Sequence, residues 1–170
     1  MSKKIYRDVH ELNRHLDGFG YQVYATSGGF DPLHVGHLRC IQESADISAR
    51  GKKIRNDWSP GVLVVIVNGD GFLHRKKGYQ FMNIEERMEI IAGLEGVDYV
   101  VDWDDGTQTV SGALEILKPD FFLKGGDRDN RENVPEFDVC KDINCKVIFN
   151  VGGGKIQSSS DLVKKFNSNS

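Results

Sequence analysis

The feature that most constrains the fold of this chain is an unbroken aliphatic segment, Val62–Val67. All six of its residues are valine, leucine or isoleucine. A strand with one face in water would alternate polar and apolar residues, whereas a continuous aliphatic run is typical of a strand buried on both faces. Such strands belong to parallel sheets that are covered by helices on each side. We therefore expect a layered α/β protein.

Short apolar segments and helical patterns alternate along the rest of the chain. The predicted strands are residues 21–26, 62–67, 99–103, 121–124 and 146–151. The predicted helices are residues 35–49, 84–94, 111–117, 134–143 and 160–166. This alternation predicts a parallel sheet with right-handed crossover connections. The expected fold is a single-domain, Rossmann-like, doubly wound parallel sheet of about five strands.

The length of 170 residues favours one domain with a substantial core. We assign residues 21–166 to this domain, residues 1–20 to an N-terminal extension and residues 167–170 to a flexible tail. Residues 52–60 have the pattern of an insertion before the second strand.

The charge, the cysteines and the hydropathy of the chain exclude several classes of protein. A net charge of −3 gives no basic excess, so no nucleic-acid partner is expected. Cys40, Cys140 and Cys145 show no CxxC spacing, which favours idle thiols in a reducing compartment over a zinc or redox site. No apolar run reaches the roughly 18 residues that cross a membrane, and the N-terminus has no signal-peptide pattern. We expect a cytoplasmic protein without a membrane partner.

The segment after the first predicted strand carries the strongest functional signal. Gly28 and Gly29 allow a tight turn and a close approach of backbone to a ligand. The turn leads into a helix N-terminus, which favours a phosphate. His34 and His37 lie three residues apart, on one face of that helix. Gly36 between them is a poor helix former, which leaves room for a ligand base or ribose.

Two other interpretations of this segment stay open on spacing alone. It is also compatible with a glycine turn that carries two surface histidines. Two histidines at this spacing can share a metal ion, although no third ligand has an obvious position.

The sequence of residues 28–37, GGFDPLHVGH, resembles the signature of the HxGH nucleotidyltransferase superfamily, the cytidylyltransferase-like group. The resemblance covers roughly residues 21–166. It implies that the backbone around Gly29 and Phe30, together with His34 and His37, holds a nucleoside triphosphate. It also implies in-line attack of a substrate phosphate on the α-phosphorus, without a covalent enzyme intermediate.

The second predicted strand is followed by Asn68 and Asp70 and then by a basic cluster, residues 74–77. Such a charge run is more often a solvated loop. Its position after a strand, together with a lysine at a similar place in the resembling enzymes, makes Lys77 the predicted phosphate contact, with Lys76 as the alternative. Asn68 and Asp70 are predicted either to contact the substrate or to cap the loop.

Arg87 lies in an N-x-x-x-R setting that is similar to one in the same superfamily. There the arginine approaches the acceptor or nucleotide phosphates, so Arg87 is predicted to bind substrate. The alternative is an exposed helix arginine that pairs with Glu86 or Glu89.

Two further segments follow predicted strands and resemble nucleotide-binding parts of the superfamily. After the fourth strand, Lys124, Gly125 and Asp127 belong to a KGGD segment that is most similar to the adenylyltransferase domain of ADP-heptose synthases. Ser158, Ser159 and Ser160 precede the last helix, where hydroxyl and N–H groups suit a phosphate. Their alternative role is a helix cap alone.

The resemblance implies an enzyme that joins a nucleoside triphosphate to a small phosphorylated substrate and releases pyrophosphate. ATP is the preferred donor, CTP the second choice, and a sugar phosphate such as heptose 1-phosphate the expected acceptor. Mg²⁺ is the expected cofactor, held mostly by phosphate oxygens and water rather than by a protein cage. A homodimer is a further expectation from the resemblance.

Three alternatives remain to that activity. They are a glycerol-phosphate-type cytidylyltransferase, a non-catalytic nucleotide sensor and, ranked last, a fragment of a class I aminoacyl-tRNA synthetase.

Overall fold

The computed structural model describes residues 3–54, 57–59, 61–126, 134–153 and 159–168. Side chains are described for these residues except 52–54, 57–59 and 159–160. The elements are, in chain order, β1 Ile5–Tyr6, α1 Val9–Phe19, β2 Gln22–Gly28, α2 Val35–Arg50, β3 Lys52–Ile54, β4 Asp57–Ser59, β5 Gly61–Asn68, α3 Asp70–Lys77, α4 Ile84–Ala92, β6 Tyr99–Trp103, α5 Ser111–Leu117, β7 Phe121–Gly125, α6 Phe137–Asp142, β8 Lys146–Val151 and α7 Ser159–Ser168.

Six strands of the described chain form one sheet in the order β1-β6-β5-β2-β7-β8, and every neighbouring pair is parallel. The predicted α/β, doubly wound fold is therefore confirmed. From β2 the chain adds β5 and β6 on one side and then crosses to β7 and β8 on the other. The reversal point lies between β2 and β7, and ligands of such sheets bind beyond the strand ends at this point.

The aliphatic strand β5 is buried on both faces, as its sequence predicts. Val64 and Ile66 face a core formed with residues of α1 and α5, and Leu63 and Val65 face a second core formed with residues of α2 and α4. All four side chains have no exposed surface. Burying a valine, leucine or isoleucine side chain contributes about 1.5–3 kcal/mol, so β5 anchors both layers.

The sheet has one strand more than predicted because the N-terminal extension contributes β1, which pairs with β6. Helix α1 follows directly, and the Asp8 side chain caps it by accepting a hydrogen bond from the His10 N–H at 2.9 Å. A strand of two residues is too short to produce a periodic pattern, which explains why the sequence did not reveal it.

Three further differences concern single elements. The basic run 74–77 lies at the end of helix α3 rather than in a loop, since Gly69 and Gly78 delimit the helix and cations suit a helix C-terminus. Residues 52–54 and 57–59 pair as a short antiparallel ribbon inside the predicted insertion. Helix α7 continues to Ser168, into the segment predicted as a flexible tail.

None of the helices that the structure describes combines the length and the hydropathy that crossing a bilayer requires.

Candidate active site

The N-terminus of α2 places the two predicted histidines side by side. His34 is the N-cap residue, and its Nδ1 accepts a hydrogen bond from the Gly36 N–H at 3.0 Å. The Nδ1 of His37 accepts in turn from the His34 N–H at 3.3 Å. The two rings stack, with centroids 3.8 Å apart and an interplanar angle of 23°. The helix start therefore fixes the position and orientation of both imidazoles.

These hydrogen bonds also determine where each neutral imidazole carries its proton. Because each Nδ1 accepts a hydrogen bond, the proton of each neutral ring lies on Nε2. Burial, aided by the charges of His34 and Lys77, lowers the pKa of His37 to about 3. Burial, aided by the charge of Lys77, also lowers the pKa of His34. At neutral pH the pair thus offers two Nε2–H donors and carries no positive charge.

Lys77 completes the set of three predicted catalytic residues. It is partly buried at the end of α3, and its Nζ donates to the Asp31 carbonyl oxygen at 3.5 Å. Burial, followed by the charge of Lys76, lowers the pKa of Lys77. Lys77 lies close enough to both imidazoles for its charge to lower their pKa values. The alternative, Lys76, is exposed and lies over the ring of Phe72, with Nζ 6.0 Å from the centroid.

Arg87 is fully buried and connects three segments around the site. Its Nε donates to Met82 O at 3.0 Å, and its Nη1 donates to Gly29 O at 2.9 Å and to Asn68 O at 2.5 Å. Its Nη2 pairs with Asp70 Oδ1 at 2.5 Å, and its side chain has 0% exposed surface. This burial excludes the alternative of an exposed arginine on the helix surface. The geometry gives Arg87 a positioning role, and direct contact with a substrate stays a prediction.

Asp31 is a residue of the site that sequence reasoning missed. Its side chain is buried, with 1% exposure, and its two carboxylate oxygens accept from the N–H groups of Phe81 at 2.7 Å and Met82 at 3.0 Å. Asp31 thus fixes the loop before α4 to the turn after β2. A signal existed, because this aspartate lies inside the segment that resembles the superfamily signature.

The double glycine of the turn accommodates the protein's own side chains. A Cβ at Gly28 would lie 2.8 Å from the Phe30 ring, and a Cβ at Gly29 would lie 2.7 Å from a Leu73 methyl group. Phe30 itself is buried and has a positive φ of 55°. Packing is therefore sufficient to explain both glycines. Contact between this backbone and a nucleotide stays a prediction.

Asn68 and Asp70 lie at the carboxyl end of β5, beside the turn. Asn68 is 7% exposed, and its Oδ1 has no hydrogen-bond partner among the described residues. Asp70 is about one-third exposed and pairs with Arg87. Substrate contact remains a prediction for both.

The KGG segment lies on the other side of β2. A Cβ at Gly125 would lie 2.6 Å from the Cys40 Sγ, so this glycine is needed for packing against α2. Gly126, in contrast, has open space around it and a φ of 69°. The Nζ of Lys124 lies 5.1 Å from the ring centroid of Phe122.

Four predicted nucleotide contacts cannot be placed against this geometry. Asp127 and Ser158 lie outside the described residues, as do the side chains of Ser159 and Ser160, although α7 begins at Ser159. Within the described part of the chain, no group of three or more His, Cys, Asp or Glu side chains could hold a metal ion.

A comparison with known families identifies the family of this protein. Residues 25–150 match the family described as cytidylyltransferase-like. This chain belongs to the cytidylyltransferase-like family. The match runs from within β2 to within β8 and includes the histidine pair, Lys77 and Arg87.

Individual relatives of this cytidylyltransferase-like chain include several called bifunctional protein HldE. The one from Aliarcobacter butzleri strain RM4018 is 27% identical over 168 residues, which cover 98% of this chain and 31% of the relative. The one from Hahella chejuensis strain KCTC 2396 is 35% identical over 131 residues, which cover 74% of this chain and 24% of the relative. The chain therefore spans less than one-third of the length of these relatives.

A solved structure supports the fold of this family member. The crystal structure of the lipopolysaccharide core biosynthesis protein from Thermoplasma volcanium GSS1 superposes with a TM-score of 0.58 and 24% identity. The superposition covers 76% of this chain and 94% of that one.

Proposed function

We propose that this protein transfers a nucleoside monophosphate from ATP to a small phosphorylated acceptor and releases pyrophosphate. The observation that carries the proposal is the pair of neutral imidazoles at the N-terminus of α2, with Lys77 beside them. Their Nε2–H groups and the Lys77 ammonium are three hydrogen-bond donors near one helix start. Such a set suits the negative charge that develops on a triphosphate during transfer.

The low pKa of His37 is consistent with the chemistry of this reaction. In the proposed step an acceptor phosphate oxygen bonds to the α-phosphorus, while the bond from the α-phosphorus to the bridging oxygen of pyrophosphate breaks. An ionised phosphate nucleophile has no proton to lose at neutral pH, so the reaction needs no general base. A neutral His37 that donates a hydrogen bond and does not accept a proton therefore meets the requirement. Lys77 and His34 would orient the phosphates.

Mg²⁺ is the proposed cofactor, and the donor set of the described residues limits how it could be held. These residues offer no cluster of three potential ligands, so phosphate oxygens and water would supply most of the coordination. When bound, the ion would neutralise part of the triphosphate charge.

The preferred acceptor is a sugar phosphate such as heptose 1-phosphate. Support comes from the KGGD resemblance to the adenylyltransferase domain of ADP-heptose synthases and from the relatives called bifunctional protein HldE. Because the chain spans only part of those relatives, their substrates are proposals here. CTP with glycerol phosphate is the second choice, supported by the family match. A cytoplasmic location and a homodimer stay expectations.

Pyrophosphate release tests the proposal directly. ATP and CTP are each supplied with Mg²⁺ and with heptose 1-phosphate, hexose 1-phosphates or glycerol 3-phosphate, and the same reactions are run with EDTA. We expect release with ATP and a sugar phosphate, abolished by EDTA and strongly reduced in His37→Ala. His10→Ala, which changes an exposed histidine on α1, is the control. Nucleotide binding without release across the panel would favour a non-catalytic sensor.

A further inference from the structure

Two residues with unpartnered side-chain polar atoms are neighbours at the carboxyl edge of the sheet. Six buried side-chain polar atoms have no hydrogen-bond partner in the described part of the chain, and they include Asn68 Oδ1 and Trp103 Nε1. These two residues are register partners in the parallel pair of β5 and β6. Side chains of such partners point to the same face of the sheet. The pair therefore forms one local feature, unlike the remaining four atoms.

The two atoms have complementary hydrogen-bonding capacities. The Trp103 Nε1–H can only donate, and the Asn68 Oδ1 can only accept. A hydroxyl group accepts one hydrogen bond and donates another, so a single hydroxyl placed between them would satisfy both atoms. A bare phosphate or a carboxylate cannot, because it has no proton to give to Asn68. Leaving both atoms buried and unpaired is costly, which favours a ligand or a water at this position.

The backbone at Asn68 lies beside the turn that carries the histidines, while the side chains of Asn68 and Trp103 lie on the α1 and α5 face of the sheet. Gly28 pairs with Val67 in the register of β2 and β5, so Gly29 comes level with Asn68. The Arg87 guanidinium confirms this neighbourhood, because it donates to the carbonyl oxygens of both Gly29 and Asn68. Trp103, Asn68 and Gly29 thus form a row across three adjacent strand ends. Two strand spacings separate the ends of this row, roughly 10 Å in total.

The indole of Trp103 packs closely against α5. Its ring lies under the first turn of α5, where a Cβ on Gly112 would come within 2.5 Å of Trp103 Cζ2. The Gly69 N–H donates to the Trp103 carbonyl oxygen at 3.0 Å and fixes the end of β6 to β5. A site that hydrogen-bonds a substrate hydroxyl rejects the analogue that lacks it, because the buried donor is then left unpaired.

We propose that Trp103 and Asn68 form a subsite that binds a hydroxyl group of the phosphorylated acceptor. The subsite rests on the proposed function and adds a requirement to it, namely that the acceptor is a polyol phosphate. Its phosphate reaches towards the histidine pair, while one of its hydroxyl groups lies between the indole and the amide. Trp103 is a specificity-determining residue in this arrangement.

The test compares acceptors that differ by one hydroxyl group. Pyrophosphate release is measured with heptose and hexose 1-phosphates and with their single-deoxy counterparts, at saturating ATP. Trp103→Phe keeps an aromatic ring and removes the donor. We expect it to raise the KM for the preferred acceptor roughly three- to tenfold, as for one lost neutral hydrogen bond. The variant should no longer prefer this acceptor over the matching deoxy sugar phosphate, and its KM for ATP should be unchanged.

Tyr99→Phe is the matched control, because Tyr99 lies on the same strand and the same face, away from the carboxyl edge. It removes a hydroxyl that pairs with His15 at 3.0 Å and should leave acceptor selection unchanged. Asn68→Ala is a second variant with the same expected loss of discrimination, for use if Trp103→Phe does not fold. Thermal unfolding of each variant checks the fold.

Calorimetric titration of the same sugar phosphates separates this proposal from the proposed function. The wild type could bind a sugar phosphate without turning it over, and Trp103→Phe could weaken that binding. This result would support the subsite and contradict the nucleotidyltransferase activity. Turnover with undiminished discrimination in Trp103→Phe overturns the subsite alone. Trp103→Phe could also lower the melting temperature and leave acceptor selection unchanged. This result means that a structural water occupies the position, and it too overturns the subsite. If the wild type shows neither binding nor turnover, both proposals are wrong.

Discussion

The burial of Arg87 makes a quantitative prediction about stability. Arg87→Met removes three hydrogen bonds to carbonyl oxygens and one ionic hydrogen bond to Asp70. Removing one partner of a buried ion pair costs about 3–5 kcal/mol. Asp70 is 34% exposed and is partly solvated in the variant, so the lower end applies. We expect a loss of about 3 kcal/mol, a large part of the 5–15 kcal/mol that is typical of a domain.

Arg7→Met is the matched control for this prediction. Arg7 has two carboxylate partners, Glu85 at 2.6 Å and Asp102 at 3.1 Å, but its side chain is 53% exposed. Exposed ion pairs contribute about 0–1 kcal/mol each, so this variant, which breaks two of them, should lose less than about 2 kcal/mol. Both losses are measured by urea unfolding followed by circular dichroism, with m-values compared to exclude a change in the unfolded state. Equal losses for the two variants would refute the assignment of Arg87 as the buried connection.

The remaining predictions concern the histidine pair and one glycine. His37→Ala should lower kcat by at least about 100-fold, because removing one donor to a developing oxyanion costs about 3 kcal/mol; near-normal turnover contradicts the role. The pKa of His37 is lowered from 6.5 to about 3, so between these values only the unfolded chain binds the proton. The free energy of unfolding should therefore be highest above pH 6.5 and fall as the pH drops towards 3, and His37→Gln should flatten this slope in urea titrations. Gly125→Ala should destabilise the protein by about 1–3 kcal/mol through contact with Cys40. Gly18→Ala in α1, with open space around it, should be neutral or stabilising by up to about 1 kcal/mol. A similar change in melting temperature for both variants would contradict the packing assignment.

Most of the layered fold could be predicted because its strands and helices carry strong local patterns. The bounds of β6, α5 and β8 agree with the predicted residues 99–103, 111–117 and 146–151. These segments carry clear local signals, such as the apolar residues of the two strands and the proline that follows α5. The predicted helix over residues 134–143 is longer than α6, which spans Phe137–Asp142, because nothing in the sequence there marks its start.

The site was predictable only where its residues are local in sequence. His34, Gly36 and His37 lie within one helix turn, so their spacing alone places the imidazoles together. Asp31 and Arg87 act across long sequence separations, and the partners they bind are mostly backbone atoms. Backbone partners leave no trace in residue types, so the sequence did not reveal the hydrogen bonds by which Arg87 and Asp31 hold these segments together, and the substrate contact of Arg87 stays a prediction.

The short N-terminal pairing of β1 with β6 also determines how far the chain can be shortened. The family match begins at residue 25, yet Leu12 and Leu16 of α1 are 0% and 3% exposed in the core above β5 and β6. A fragment starting at residue 21 would uncover these apolar surfaces and turn β6 into a bare edge. Unpaired edge strands of this kind recruit other chains. Expression trials guided by the family boundary alone should therefore yield aggregates rather than a minimal enzyme.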